Sequence, residues 1–264
     1  MKLVIFTLVL DGMPYIYWHL PIFEKLKCDW QWEIVHGAAM PTGSTSWCQL
    51  QDERLSNDGT TEYLNKISHS YRINVTAREM WESKDEMANE AIRHFKEDYI
   101  LMQIDVDEIH SPENIDKIME LFTNDPQLGA IRMPCRFFVG SRLICKGENC
   151  WSNKRNEWER VWRYRSDDPD HYPGDHEMHF QSHEPPIMAK YLGRIMQRDE
   201  AKSHGLSFDH YAYAIKKQAE YKEKFYGYDG LVNQWTALQD HDHFPEPLQR
   251  FFPFVDDKVM VDRL

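Results

Sequence analysis

The sequence predicts an α/β fold, a mostly parallel central sheet flanked by helices, and three observations point to it. Strand-length apolar runs recur at residues 2–10, 32–37 and 99–104, rich in β-branched and large apolar side chains of the kind found in strands covered on both faces. Segments with helical spacing separate these runs, as crossover connections between parallel strands require. The run at 99–104 ends abruptly in Asp105, Asp107 and Glu108, carboxylates delivered to the carboxyl end of a buried strand. Open α/β sheets collect their ligands at such ends.

Residues 2–10 make the first strand, Asp11-Gly12-Met13-Pro14 a turn, residues 15–26 an aromatic-rich helix and residues 32–37 a second strand, together a β-α-β opening. Residues 56–60, Ser-Asn-Asp-Gly-Thr, form a turn and cap leading into a helix over 61–67, and 72–75 gives a short third strand. Ser83 with Glu86 three residues later is a capping box. Behind it, Met87, Ala91, Ile92 and Phe95 keep helical spacing over 83–96 into the acidic strand. A helix follows Pro112 to about residue 122, and 129–139 reads as one further strand. Residues 140–186 carry Trp151, Trp158, Arg160, Trp162, Arg163 and Arg165 with little periodicity, the pattern of a binding loop or of an Arg-Trp ladder on an antiparallel hairpin. Residues 215–225 form a charged helix, and the tail from Phe244 packs back on the body.

With 264 residues the chain is long enough for one sizeable α/β domain. A net charge of −12 disfavours a broad basic surface, and with it nonspecific binding to nucleic acid or anionic membrane. Five cysteines without a CxxC pair fit a reducing compartment better than a disulfide framework, so a cytoplasmic location is expected. The apolar run at 3–10 is too short, and too poor in flanking basic residues, to read as a signal sequence. No apolar stretch reaches the length of about 18 residues that crosses a bilayer, so no transmembrane segment is expected.

Asp105 and Asp107, two apart on an extended segment, leave on the same face. Two carboxylates held so close repel unless a cation or shared proton intervenes. Oxygen ligation suits magnesium or manganese, which take one or two carboxylates and complete their shells with water and substrate phosphate.

Residues 1–110 resemble the nucleotide-sugar-binding half of a GT-A fold (Rossmann-like) glycosyltransferase, of the inverting family 2 type. The resemblance is carried by residues 8–12 (Leu-Val-Leu-Asp-Gly), 34–38 (Ile-Val-His-Gly-Ala), 56–60, 81–89 and 104–108, the last similar to that family's DxD motif. It implies a single domain, with 1–110 binding the nucleotide sugar and a more irregular 111–264 binding the acceptor. Asp11, Gly12, His36, Asp58, Lys84, Asn89 and Asp105 are then the donor-binding candidates, and Asp105, Asp107, His183 and His210 the candidate ligands of Mn2+ or Mg2+. The sequence departs from similar ones at His36, where an acidic residue is frequent, and at Met87, where glycine is common. The expected partners are a nucleoside-diphosphate sugar, UDP-linked by preference, and a glycan acceptor.

An inverting transfer needs a base for the acceptor hydroxyl. Glu184, presented rigidly before Pro185-Pro186, is the first candidate, with Asp209 and Asp175 competing. His204 joins His183 and His210 as a histidine that could complete a metal shell. Three other readings remain open: a nucleotidyltransferase, disfavoured because no Gly-rich phosphate loop follows strand one; a carbohydrate-binding protein on a degenerate transferase fold; and a metal-dependent sugar-nucleotide hydrolase.

Overall fold

The computed structural model describes residues 1–52, 54–146, 159–164, 178–180, 186–188, 193–255 and 259–264, with backbone only at 44, 178–180 and 186–188. The opening units are β1 (Lys2–Val9), α1 (Ile16–Phe23), β2 (Trp30–Ala39), α2 (Thr60–Ile67), β3 (Ile73–Trp81), α3 (Lys84–Ile92) and β4 (Tyr99–Gln103). β1 pairs in parallel with β2 on one side and β4 on the other, and β2 pairs in parallel with β3. The chain therefore builds outward from β1 to β3 and then crosses back through α3 to lay β4 on the far side of β1. That reversal is a switch point, which opens a crevice beyond the carboxyl ends of β1 and β4.

The remaining elements are β5 (Glu108–Ile109), α4 (Pro112–Asn124), β6 (Leu128–Arg132), β7 (Cys135–Gly140), β8 (Leu143–Lys146), β9 (Glu159–Tyr164), β10 (Met178–Phe180), β11 (Pro186–Met188) and β12 (Arg194–Met196). After them come α5 (Arg198–Ser203), β13 (Phe208–His210), α6 (Lys216–Tyr226), α7 (Leu231–Gln239), β14 (Glu246–Pro247) and β15 (Met260–Arg263). The central sheet has the order β12-β6-β9-β4-β1-β2-β3 and is parallel except for β9, which runs antiparallel to both β4 and β6. A second sheet, β14-β15-β8-β7-β13-β5, stands at its acidic end, and β10 pairs with β11 as a separate ribbon.

Alternation along β1 explains its unbroken apolar run. Leu3 and Ile5 enter the cluster with Ile16, Phe23, Trp32 and Phe122, while Val4 and Phe6 enter the opposite cluster with Trp81, Ala88, Leu101 and Trp162. Each such side chain contributes about 1.5–3 kcal/mol on burial. A third cluster joins the second sheet to α7 and the tail through Val139, Leu238, Leu248 and Phe252. The tail thus packs back, as the sequence suggests.

Two expectations are corrected. The strand read at 129–139 is two: Pro134 interrupts it, and β6 joins the central sheet while β7 joins the second. Within the aperiodic stretch 140–186, the described residues include β9, a buried strand at the centre of the main sheet, where Arg160 and Trp162 are 1% and 0% exposed. Sheet neighbours on both edges and core on both faces remove the polar alternation that reveals a half-exposed strand.

Four buried histidines tie stability to pH, among them His36, which burial holds below its ordinary value. Burial first of all holds His19 and His210 at about 4 and His110 at about 3, against an ordinary 6.5. Between pH 6.5 and about 4 the unfolded chain takes up protons that the folded chain refuses, so stability falls as pH falls, by up to about 1.4 kcal/mol per unit for each histidine. Glu33 and Glu108 act the other way, since burial raises both carboxyls from 4.5, with the Arg160 guanidinium beside Glu108 pulling that carboxyl back down. His110 stacks on Phe208 at 4.8 Å, and neither ring nitrogen has a hydrogen-bond partner among the described residues. His110→Phe is expected to leave stability at pH 7 unchanged or raised and to make the acid limb shallower by one proton. Urea unfolding at pH 7.0 and pH 5 checks it.

Candidate functional site

A cleft of about 910 Å3 opens where the switch point requires it, lined by the ends of β1, β2 and β4 on one side and by α6 on the other. Its nearest loop is held open by side chains from 56–60. The amide of Asp11 donates to Ser56 Oγ at 2.7 Å, that of Gly12 to Thr60 Oγ1 at 2.9 Å and that of Met13 to Asp58 Oδ2 at 3.0 Å. The Asn57 amide donates in turn to Asp11 Oδ1. These bonds secure Asp11 at φ 55°, a left-handed conformation that is unfavourable for a residue with a Cβ. Three successive amides able to cradle an anion are thereby engaged within the protein.

Gly37 has its own requirement. At φ 132° it forms the β2 bulge, and a Cβ there would lie 1.9 Å from the Arg78 carbonyl oxygen, so only glycine lets β3 approach while Ala38 and Ala39 face the cleft.

The acidic segment is divided by function. Asp105 accepts from Gln103 Nε2 at 2.9 Å and from Arg160 Nη2 at 3.0 Å. Arg160 also donates to Glu108 Oε1 from Nε at 3.1 Å and from Nη2 at 2.6 Å. Burial pushes the Asp105 carboxyl up, but Arg160, then Lys84 and the Gln103 bond, pull it below the usual range. Among the described residues Asp107 has no such clamp. Gln218 Nε2 donates to its Oδ2 at 3.3 Å, and its Oδ1 lies 3.6 Å from His210 Nε2. That separation exceeds a hydrogen bond. Two ligands bound at about 2.0–2.2 Å to one divalent ion stand about 3–4 Å apart, so the pair fits a shared cation. His210 is suited to ligation because burial keeps the imidazole neutral, with Asp107 acting the other way. Among the described residues no group of three or more His, Cys, Asp or Glu side chains is arranged around a metal position. Magnesium and manganese accept such a sparse protein set, leaving the other positions to water and phosphate.

The cleft brings together Asp11, Gly12, Lys84, Asp105, Asp107 and His210 of the residues singled out from sequence. It does not bring His36, Asp58, Asn89 or Asp209 to its lining. His36 is buried and turned to Ser56, whose amide and hydroxyl both reach Nε2, at 3.2 and 2.9 Å. Asp58 secures the Met13 amide and pairs with Lys217 at 2.6 Å. Asp209, expected as an alternative base, gives both oxygens to Arg136 at 2.5 and 2.6 Å, while its strand neighbour His210 takes the cleft face. His183, Glu184 and Asp175 lie outside the described residues. His204 is at the C-terminal end of α5 and does not line the cleft. Sequence reasoning named Arg160 only as part of a binding loop or ladder and missed its pairing with Asp105 and Glu108, and it missed the cleft face of α6. For α6 a signal existed: Gln218, Tyr221, Lys222 and Phe225 repeat at helical spacing.

No protein-family model matches the sequence, and no curated protein matches it either. Among solved structures it is similar to S. aureus TarS 1–349 in complex with UDP-GlcNAc, at 12% identity and a TM-score of 0.42, over 62% of this chain and 45% of that one. It is also similar to the mannosyltransferase PcManGT from Pyrobaculum calidifontis in complex with GDP-Man and Mn2+, at 15% identity and a TM-score of 0.38, over 51% and 35%. A third is CMP:2-keto-3-deoxy-manno-octonic acid synthetase complexed with CTP, at 12% identity and a TM-score of 0.34, over 62% and 72%. The chain spans a little under half the length of the TarS chain it matches. The class of the fold, a Rossmann-like α/β sheet with a switch-point cleft, is established by the chain's own strand order and crossovers.

Arg160 and Glu108 give a test of the acidic segment. Arg160→Met leaves Glu108, 0% exposed, without its cation, and is expected to cost about 3–5 kcal/mol. The double variant Arg160→Met with Glu108→Gln should recover most of that loss. Guanidinium unfolding of the two variants beside the parent checks both expectations.

Proposed function

We propose that the chain is a metal-dependent glycosyltransferase that moves a sugar from a nucleoside diphosphate, by preference UDP, to a hydroxyl of a glycan acceptor, with inversion. The observation that carries the proposal is the facing of Asp107 and the neutral His210 inside the switch-point cleft, with Lys84 lining the same space. Asp107 and His210 would hold Mn2+ or Mg2+, which when bound offsets negative charge developing on the leaving diphosphate. Lys84, at the first turn of α3, adds a point charge to the phosphates. Asp11 and Gly12, beside Ala38 and Ala39, border the nucleoside end. Asp105 serves by holding the segment through Arg160 rather than by ligating. Glu184 takes the proton of the acceptor hydroxyl as its oxygen attacks the anomeric carbon from the face opposite the diphosphate. This assignment stands on the sequence at 182–186.

The nucleotidyltransferase reading is weakened by a specific observation. The amides of Asp11, Gly12 and Met13 are bonded to Ser56, Thr60 and Asp58, so the loop after β1 has no free row of donors for a triphosphate. Side-chain cations and a metal suit a diphosphate leaving group in this cleft better.

Thermal-shift titration with UDP, GDP and CDP, with and without manganese, tests the reading: a manganese-dependent rise with one nucleotide supports it, and no rise with any removes it. Asp107→Asn is expected to keep the parent's stability and lose the manganese-dependent shift. Asp105→Asn is expected to cost about 1–3 kcal/mol of stability by weakening the Arg160 bond. Equal loss of metal dependence in both variants, without destabilisation of the second, would contradict the division between the two aspartates. Glu184→Gln should abolish transfer while leaving nucleotide affinity intact.

A further inference from the structure

Four lysines lie on α6, and three are neutralised at the rim of the cleft. Lys216 pairs with Glu220 at 3.5 Å, Lys217 with Asp58 at 2.6 Å and Lys224 with Asp52 at 2.8 Å. Lys222 differs: among the described residues no carboxylate lies within ion-pair distance of its ammonium. It shares the inward face of the helix with Gln218, Tyr221 and Phe225, all of which line the cleft. Its Nζ stands 4.6 Å from the Tyr213 ring centroid and 6.0 Å from that of Tyr226. The rings fix the direction of the side chain and support its charge, but a ring quadrupole is worth less than a carboxylate. Burial lowers the Lys222 ammonium from its ordinary value, while Asp107 and Asp105 across the cleft act to keep it charged. Lys84 enters the same space from α3. Two cations and an aspartate pair thus face one cavity with a partly desolvated, unneutralised ammonium among them. A bound anion repays that cost.

We propose that Lys222 binds the diphosphate of the donor, bracketing it with Lys84, so that the C-terminal helix α6 stabilises the leaving group directly. The inference rests on the nucleotide-sugar reading above and extends it to a residue from the half of the chain where the resemblance is weakest. A helix that contributes only packing has no use for an unneutralised lysine on its cleft face. Methionine would fill the same space over Tyr213 without the cost of burying charge.

Calorimetric titration of the purified full chain with UDP, GDP and uridine in the presence of manganese decides the matter. For Lys222→Met, nucleoside-diphosphate affinity is expected to fall at least about tenfold, equivalent to about 1.4 kcal/mol, while uridine affinity stays at the parent value. Lys222→Arg is expected to restore binding to within about threefold, and Lys216→Met, on the exposed face, to behave as the parent. Lys222→Gln serves in place of the methionine variant if that chain does not fold. Diphosphate binding unchanged in Lys222→Met, or lost equally for UDP and uridine, overturns the assignment of Lys222 and leaves the nucleotide-sugar reading standing. A parent chain that binds neither UDP nor GDP overturns both.

Discussion

A buried guanidinium makes the acidic end of β4 possible. Asp105, Asp107 and Glu108 crowd into four residues, and Glu108 is wholly inaccessible to water. Left alone, such a cluster would shed charge by taking up protons or would unfold the turn. Arg160 meets Glu108 with two of its nitrogens and Asp105 with one, which fixes the turn. It arrives there because β9 runs antiparallel between β4 and β6. The rest of β9 is bound as firmly: Glu159 pairs with Arg132 and accepts from the Trp162 indole. Arg163 caps the carbonyls of Phe122 and Asp125 at the end of α4. One antiparallel strand therefore holds the last turn of a helix, the edge of β6 and the acidic motif in a common frame.

That arrangement separates two aspartates that look equivalent on paper. Asp105 is consumed by Gln103 and Arg160 and acts as part of the scaffold. Among the described residues the Asp107 carboxylate meets a long bond from Gln218 and a histidine too distant for hydrogen bonding. For the proposed metal site, the segment would present one carboxylate to the cation. The second protein donor would come from β13, which lies antiparallel to β5 just beyond the motif.

Much of the N-terminal half was legible because its signals are local. Apolar runs gave β1, β2 and β4; the serine at 83 gave the start of α3, where its side chain accepts from the Glu86 amide; and the Asp-Gly turn gave the loop after β1. What was not legible depends on residues far apart in sequence. Arg160 stands 52 positions from Glu108, and nothing in its own neighbourhood distinguishes a buried ion pair from a surface ladder. His36 fell on the right strand, yet its ring is turned to Ser56, a contact set by the β2 bulge and the 56–60 loop rather than by the strand pattern. Asp209 sat beside a residue of the cleft, and one position of strand alternation sent it to Arg136 instead.

The cleft also shows how its two sides are kept in register. Helix α6 meets the N-terminal half at the Lys217–Asp58 pair, the Gln218–Asp107 bond, the Gln49 amide to the Phe225 carbonyl at 2.7 Å and the exposed Lys224–Asp52 pair. The last is worth little, since its aspartate is 84% exposed. The first is stronger: Asp58 is 9% exposed and also accepts from Met13 and Thr60, so it fixes helix and loop with one carboxylate. Its charge, held below the usual carboxylate range against the pull of burial by Lys217 and those bonds, is spent on position rather than on ligand. Because the loop amides are also engaged, a ligand entering here meets charge only on side chains. The lysines lining the cleft come from α3, as Lys84, on one wall and from α6, as Lys217, Lys222 and Lys224, on the other. On the proposed reading, an anion held between Lys84 and Lys222 would be lost if α6 moved away from the sheet, and the ties at Asp58 and Asp107 would set the distance it must span.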